Sequence, residues 1–239
     1  LQAWSSTQIP LLNATLNLSK LGPEKKLIYV LRPITASGEK MEAKETGRFT
    51  LSIKAKETHL IFRDVIEMSN APNDTWKQDL EIELPKNHLL HPTRMTVDIS
   101  IDQQKVRALE LKHGQMKVYD WEGKRQEKPN LSDGILAFPV MLYLVPSLPR
   151  NIGDSFTFTW YMEPFGFLRK GKSKPGFVLT CLKEETIQLK KSPHHCVKFG
   201  LESIDNKIET YLWVDKINNV VIMYLEKTPD GSIEGTLED

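Results

Sequence analysis

Along most of this chain, hydrophobic and polar residues alternate one for one. Phe49, Leu51 and Ile53 are interleaved with Arg48, Thr50, Ser52 and Lys54. Leu80, Ile82 and Leu84 alternate with Asp79, Glu81 and Glu83, and Met95, Val97, Ile99 and Ile101 with Arg94, Thr96, Asp98 and Ser100. Phe156, Phe158 and Trp160 alternate with Ser155, Thr157 and Thr159. A period of two describes a strand with one dry and one wet face. Further strands are predicted at Leu27 to Ile34, His59 to Glu67, Lys105 to Leu111, Met116 to Trp121, Phe177 to Leu189, Cys196 to Ser203, Lys207 to Val214, Val220 to Lys227 and Ser232 to Leu237. Asn218-Asn219 and Pro229-Asp230-Gly231 supply turn residues between them, and Lys190-Lys191-Ser192-Pro193 reads as a hairpin loop. This regular spacing predicts a mostly β fold, an antiparallel curled sheet forming a half-barrel or flattened barrel. No change in composition marks a linker and no repeat appears, so residues 1–239 read as a single β domain.

One segment departs from alternation. From Ile135 to Val145 the chain is apolar on nearly every side, with Ser132 or Asp133 placed to cap a helix and Pro139 inside the run. The expectation is one short buried helix, kinked or in two pieces, ending before Pro146. A helix apolar all round must be covered on all sides, and the concave face of the sheet is the surface suited to cover it. The run Ser6 to Ser19 reads as a strand or an extended arm.

Charge narrows the partners. Lysine and arginine total 32 and aspartate and glutamate 31, a net charge of +1. That balance lacks the basic footprint of a nucleic-acid binder. The basic run Arg169 to Lys174 reads as a solvated loop. No apolar run reaches the ~18 residues needed to span a bilayer. The chain starts at Leu1 rather than Met, which fits a mature protein or one whose leader has been removed, and equally a trimmed cytosolic protein. At 239 residues a domain buries roughly 70% of its unfolded surface and needs no covalent staples. The two cysteines are too few for a disulfide framework, and strand parity sends Cys181 and Cys196 to different faces of the sheet.

Motifs for chemistry are sparse. His194-His195-Cys196 holds metal-capable types, but neighbours in a strand point to opposite faces. His88 and His91 flank two leucines before Pro92 and read as a loop. The pairs Glu184-Glu185 and Glu42 with Glu45 sit in charged stretches that do not suggest raised carboxyl pKa values. Sequences for phosphate, dinucleotide, zinc-protease or serine-hydrolase sites are absent. The expectation is therefore no catalytic residue, no metal site and no cofactor. Sequons occur at Asn13, Asn17, Asn73 and Asn130.

The aromatic and apolar set is the most suggestive feature: Phe156, Phe158 and Trp160 on one strand face, Phe165 and Phe167 just after, Tyr211 and Trp213 on another strand, and Phe138, Met141 and Leu142 in the helix. The plain reading is core packing. The functional reading is a cavity between curled sheet and helix that holds an apolar or amphiphilic ligand.

From Asp133 onward the chain resembles an exported Gram-negative family, domain-of-unknown-function family three-one-zero-eight. Its helix pattern D-x-L-S-x-L-Y-Y-L-R is matched by Asp133 to Phe138 and Tyr143-Leu144, and its L-x-x-G-D by the run Leu148 to Asp154. Its later W-x-x-D is matched, one residue short, by Trp213-Val214-Asp215, while its proline after that turn is replaced by Val220-Val221. Residues 133–239 carry the likeness. The resemblance implies export to the periplasm or the outer membrane's inner face, a curled sheet around a helix similar to periplasmic carriers of lipoproteins and lipids, and no reaction. The functional expectation is non-enzymatic binding of a lipid or other apolar ligand, or docking of an envelope protein partner. The alternatives are an envelope structural or assembly factor with a solid core and, behind it, a hydrolase.

Overall fold

The computed structural model describes residues 8–11, 24–34, 47–71, 74–101, 104–112, 115–119, 125–126, 134–162, 168–170, 176–189, 192–203, 209–228 and 231–238. In chain order the strands are Gln8–Pro10 (β1), Glu24–Ile34 (β2), Gly47–Ala55 (β3), His59–Ala71 (β4), Asp74–Pro85 (β5), Arg94–Ile101 (β6), Gln104–Lys112 (β7), Gln115–Tyr119 (β8), Arg125–Gln126 (β9) and Ile135–Ala137 (β10). The helix Phe138–Leu144 (α1) follows. Then come Ser155–Phe158 (β11), Trp160–Met162 (β12), Leu168–Lys170 (β13), Phe177–Leu189 (β14), Ser192–Ser203 (β15), Glu209–Asp215 (β16), Val221–Thr228 (β17) and Gly231–Leu237 (β18).

Fifteen of these strands form one sheet in the order β1-β11-β14-β15-β16-β17-β18-β2-β3-β4-β5-β6-β7-β8-β9, and β10, β12 and β13 form a second, small sheet. The fold is mostly antiparallel and the large sheet is open. Its C-terminal strand β18 pairs with β2, Thr236 opposite Val30, which joins the two halves of the chain into one surface. Alternation does what it predicts. In β3 every second residue, Gly47, Phe49, Leu51 and Ile53, is buried, and the residues between them are exposed or half-buried. One core cluster takes the dry faces of β2 to β7 and of β14 to β17, together with all of α1 but its proline.

The helix is shorter than the apolar run suggests. Ile135–Ala137 is strand, pairing in parallel with Trp160–Met162. Its entry is fixed by Gly134, at φ +77°, and by the Ile135 N–H, which donates to the Leu90 carbonyl at 2.7 Å. The helix begins only at Phe138, so Pro139 falls in its first turn rather than its interior. There a proline costs nothing, because first-turn amides have no helical acceptor. Ala137 stands at the N-cap with no side-chain bond, and the chain runs through Pro146 in a single 3-10 turn, Val145–Ser147. Ser132 and Asp133, expected as caps, lie outside the described residues.

Two other expectations are corrected. Phe156, Phe158 and Trp160 are all buried, but not on one strand: at Thr159 the chain leaves the large sheet and Trp160 opens β12 of the small one. Ser155 is buried as well, its hydroxyl 3.1 Å from that of Thr180. Ser192 and Pro193 belong to β15, opposite Leu189 and Gln188, rather than to the loop before it. Within the basic run, Arg169 and Lys170 lie in β13, while 171–174 lie outside the described residues. Within Ser6 to Ser19, Gln8–Pro10 is indeed strand, parallel to Ser155–Thr157.

Of the described glycines, Gly235 leaves a side chain the least room. Gly235 lies opposite Tyr224, whose ring folds across it; a Cβ at this position would come within 2.1 Å of the ring. Gly235→Ala must push that ring into the core and is expected to cost about 1 to 3 kcal/mol. Chemical denaturation of the two proteins measures it; an unchanged midpoint would show the ring free to move.

Candidate functional site

Aromatic rings pack between helix and sheet. Phe138 meets Tyr224 edge-on at 4.8 Å between ring centroids and Phe49 at 6.0 Å, while Tyr143 meets Phe62 at 5.3 Å. Phe138, Met141 and Leu142 are buried in this packing, and Phe156, Phe158 and Trp160 belong to the same core. Tyr211 and Trp213 are brought elsewhere. They point to the opposite face of the sheet, where Trp213 joins Cys196 and Ile222 in a separate cluster. The Lys198 ammonium lies over both rings, at 4.3 and 4.6 Å from their centroids, and the Trp213 Nε1–H donates to Glu185 at 2.8 Å. Phe165 and Phe167 lie outside the described residues, as do all four sequons. A surface depression of about 360 Å³ at the β7–β8 hairpin is lined by Glu110, Lys112, Gln115 and Lys117 and has no apolar floor.

Three residues of the motifs behind the family resemblance, Gly153, Asp154 and Asp215, hold turns. Gly153 takes φ +95°, and the Asp154 carboxylate accepts from the Asn151 backbone and side-chain N–H groups at 3.2 and 3.0 Å. Asp215 holds the β16–β17 turn. One of its oxygens accepts the N–H groups of Ile217 and Asn218 at 2.8 and 2.7 Å, and the other meets His194 Nδ1 at 2.9 Å. Asn219 completes the turn at φ +53° and accepts a bond from Arg150, which also donates to the Pro146 carbonyl at 2.6 Å. Burial pushes the Asp215 carboxyl up, but the Asn218 N–H, the His194 ring and the Ile217 N–H outweigh it and hold it below its ordinary value. A depressed carboxyl contributes stability that is complete above the unfolded pKa and is lost as pH falls through the folded one. Asp215→Ala is therefore expected to cost about 2 kcal/mol at neutral pH and less in acid, below about pH 4; a urea midpoint series down the acid limb checks it. His194 and Asp215 look like part of a catalytic triad, yet no hydroxyl or thiol among the described residues bonds the His194 ring. No group of His, Cys, Asp and Glu among the described residues is arranged to hold a metal ion.

The thiols are free and lie on opposite faces, as parity predicts. Burial pushes Cys181 up to about 11 and Cys196 to about 12, which leaves both poor nucleophiles. Glu184 is exposed and paired with Lys216 at 2.8 Å.

The unexpected chemistry is inside. Strand parity carries five polar side chains onto the concave, otherwise apolar wall: Asp64 in β4 between Phe62 and Ile66, Gln78 in β5 beside Leu80, Ser203 in β15 beyond Leu201, Thr210 in β16 beside Leu212, and Glu226 in β17 beyond Tyr224. Asp64, Gln78 and Thr210 are 0% exposed and Glu226 2%. The Thr210 hydroxyl donates to Glu226 at 2.7 Å. The Gln78 amide reaches one Asp64 oxygen only at 3.5 Å, and the other Asp64 oxygen has no hydrogen-bond partner. Burial pushes the Asp64 carboxyl well above the carboxylate range, against the Gln78 bond, with Asp79 adding to the rise. Burial likewise raises the Tyr224 phenol, with Tyr29, Glu226 and Asp64 contributing, so these four groups share one interior region. The Tyr29 hydroxyl is spent on the Val221 carbonyl at 2.8 Å. From Tyr224, Glu226 lies toward the β17–β18 hairpin; Gln78 lies toward the β4–β5 hairpin at the same end, and α1 fills the other half.

Sequence reading missed this set, although the signal was present. Extending the dry register of Leu80, Ile82 and Leu84 back by two reaches Gln78, and the register of Leu60, Phe62 and Ile66 passes through Asp64.

No protein-family model matches the chain, and no curated protein matches it. Similar folds occur among solved structures. A beta-barrel-like protein of domain of unknown function DUF1849 from Brucella abortus shares 12% identity at a TM-score of 0.52, covering 91% of this chain and 96% of its own. A DUF1089 family protein from Pseudomonas aeruginosa has 13% identity and a TM-score of 0.41, covering 73% of this chain and 87% of its own. A YmcC-like fold from Bacteroides fragilis has 11% identity and a TM-score of 0.25, covering 98% of each chain. The first of these supports the beta-barrel-like architecture.

Proposed function

We propose that this protein is a non-catalytic binding protein of the cell envelope, and that an amphiphilic ligand occupies the polar half of its β interior. The observation that carries this reading is the Asp64 carboxyl, fully buried on an apolar wall with one oxygen unpartnered. A buried polar group without a partner costs about 1 to 3 kcal/mol, and a fold that needed only a solid core would place an aliphatic residue there. A ligand that supplies the missing bond removes the cost, in the manner of a mostly apolar pocket with a few converging polar groups. This site lies beside the one expected between sheet and helix, where Phe138 packs against Phe49 and Tyr224. No helix among the described residues is long and apolar enough to cross a membrane. The envelope location rests on the family resemblance of residues 133–239.

Native mass spectrometry of the purified protein tests the reading, followed by titration of solvent-extracted, refolded protein with dodecanol or with Nile red. A bound small molecule, or saturable binding of either probe that Ile66→Trp blocks, is the expected result. The ring packing of Phe138 and Tyr143 against the sheet favours a second reading, an envelope assembly factor with a solid core. Absence of both adduct and probe binding would establish that one instead.

A further inference from the structure

We infer that the end of the sheet bearing the β16–β17 turn docks on an anionic lipid bilayer, with Ile217 and Ile152 entering among the lipid headgroups. Docking there asks nothing of the interior and is independent of any ligand held in it.

Two turns carry the apolar contact. Ile217 is 82% exposed in the β16–β17 turn and Ile152 is 64% exposed in the turn before β11, the two largest exposures of any large apolar side chain among the described residues. Arg150, two residues before Ile152, donates to Asn219, two residues after Ile217, so one bond ties the two turns together. A single exposed isoleucine is ordinary, but here the backbone beneath it is prepared for a dry neighbour. The Lys216 N–H donates to the His195 carbonyl at 3.0 Å, those of Ile217 and Asn218 to the Asp215 carboxylate at 2.8 and 2.7 Å, and that of Asn219 to the Asp215 carbonyl at 3.0 Å. In the other turn the Gly153 and Asp154 N–H groups donate to the Cys181 and Asn151 carbonyls at 2.8 and 3.0 Å. Turns paired in this way enter a headgroup layer without stranding an amide, and being rigid they lose little freedom on docking. Two side chains offer far less than the roughly 1,200 Å² that a stable protein interface buries, whereas a bilayer takes apolar side chains one at a time.

Charge selects the surface. Strand registers put other connections at the same end: Leu237 opposite Tyr29, Glu24 opposite Lys54, His59 opposite Pro85 and Arg94 opposite Lys112. Lys54, Lys56, Lys86 and Lys112 are exposed there, and none has an ion-pair partner among the described residues. Among the same residues the exposed carboxylates left unpaired at this end are Glu24 and Glu57, so positive charge prevails. Lys216, beside Ile217, is held by Glu184 in an exposed pair, which is worth little against a charged surface. Lysines within a Debye length of anionic headgroups are drawn to them.

Flotation of the whole protein with vesicles of phosphatidylglycerol and phosphatidylethanolamine, against vesicles of phosphatidylcholine alone, tests the docking. The expected result is binding to the first that weakens as salt rises, and several-fold weaker binding to the second. Ile152→Ser combined with Ile217→Ser should lower the affinity for anionic vesicles about tenfold or more. Lys56→Glu combined with Lys86→Glu should remove the preference for anionic lipid. A reporter locates the contact. An environment-sensitive dye on Ile217→Cys should brighten and shift to the blue with anionic vesicles, while the same dye on Ile101→Cys, at the other end of the strands opposite Trp76, should not. Both native thiols are buried, which leaves the label to the introduced one. No binding to anionic vesicles, equal binding to phosphatidylcholine, an affinity unchanged by the paired serine substitutions, or an equal response of the dye at positions 101 and 217 would each overturn the assignment.

Discussion

Asp64→Asn is expected to raise the melting temperature of the ligand-free protein near pH 8 and to flatten its dependence on pH. The sign follows from burial. The folded carboxyl is held well above the ordinary carboxylate range because burial disfavours its charge, the Gln78 bond only partly offsets this, and Asp79 adds to the rise. Between the unfolded pKa of about 3.9 and the raised folded value, the native chain holds a proton that the unfolded chain has released. Stability therefore falls as pH rises through that window, by about 1.4 kcal/mol for each pH unit, and the penalty is absent below it. Asparagine has nothing to ionise, so its unfolding free energy should exceed that of the parent by a margin that widens as pH rises above the unfolded pKa of about 3.9. Thermal melts at several pH values read this directly. Parallel curves for the two proteins would mean that Asp64 is ionised in the fold, with a partner supplied from outside the described residues.

How much of this was legible in the chain differs by element. The strands were, because alternation and burial have the same period: Arg94–Ile101 and Phe177–Leu189 fall where the pattern puts them. β16 shows where the signal fails. Thr210, Leu212 and Val214 alternate with Tyr211 and Trp213, so both faces carry apolar side chains and alternation alone does not say which is inside. The sheet buries the smaller set against the core and leaves the two rings outside under Lys198. The parallel pairings of β1 with β11 and of β10 with β12 were not legible either, because those strands are three or four residues long and pair segments that are not neighbours in the chain. Helix bounds were misread because an apolar run gives no period with which to separate strand from helix, and the deciding feature, Pro139 in the first turn, fits a helix start as well as a kink. The polar interior was legible at Asp64 and Gln78, but only by trusting register over residue type: a carboxylate in a dry register reads as an exception until the sheet shows it inside.

Met141→Asp should prevent folding at neutral pH, whereas Met141→Leu should change stability by less than about 1.5 kcal/mol. Met141 sits at the centre of α1 with 0% exposure, and every residue of that helix is buried. The helix is joined to both halves of the chain, through Phe49 and Phe62 on the N-terminal side and Tyr224 on the C-terminal side. Its seven residues are too few to be stable alone, so packing is what keeps it helical. A carboxylate at position 141 has no water to reach. Its protonated form still leaves a polar group among hydrocarbon, so the cost is several kcal/mol in either state. That loss is large against a typical total stability of about 5 to 15 kcal/mol. Circular dichroism and size exclusion of the purified variants measure the outcome, and hydrogen exchange on the parent gives an independent reading. Amides in the last turn of α1 should exchange only through global unfolding, at the same free energy as the strands they cover. A folded Met141→Asp protein, or helix amides that exchange ahead of β3 and β4, would show α1 to be a movable element rather than the plug on which the curl of the sheet depends.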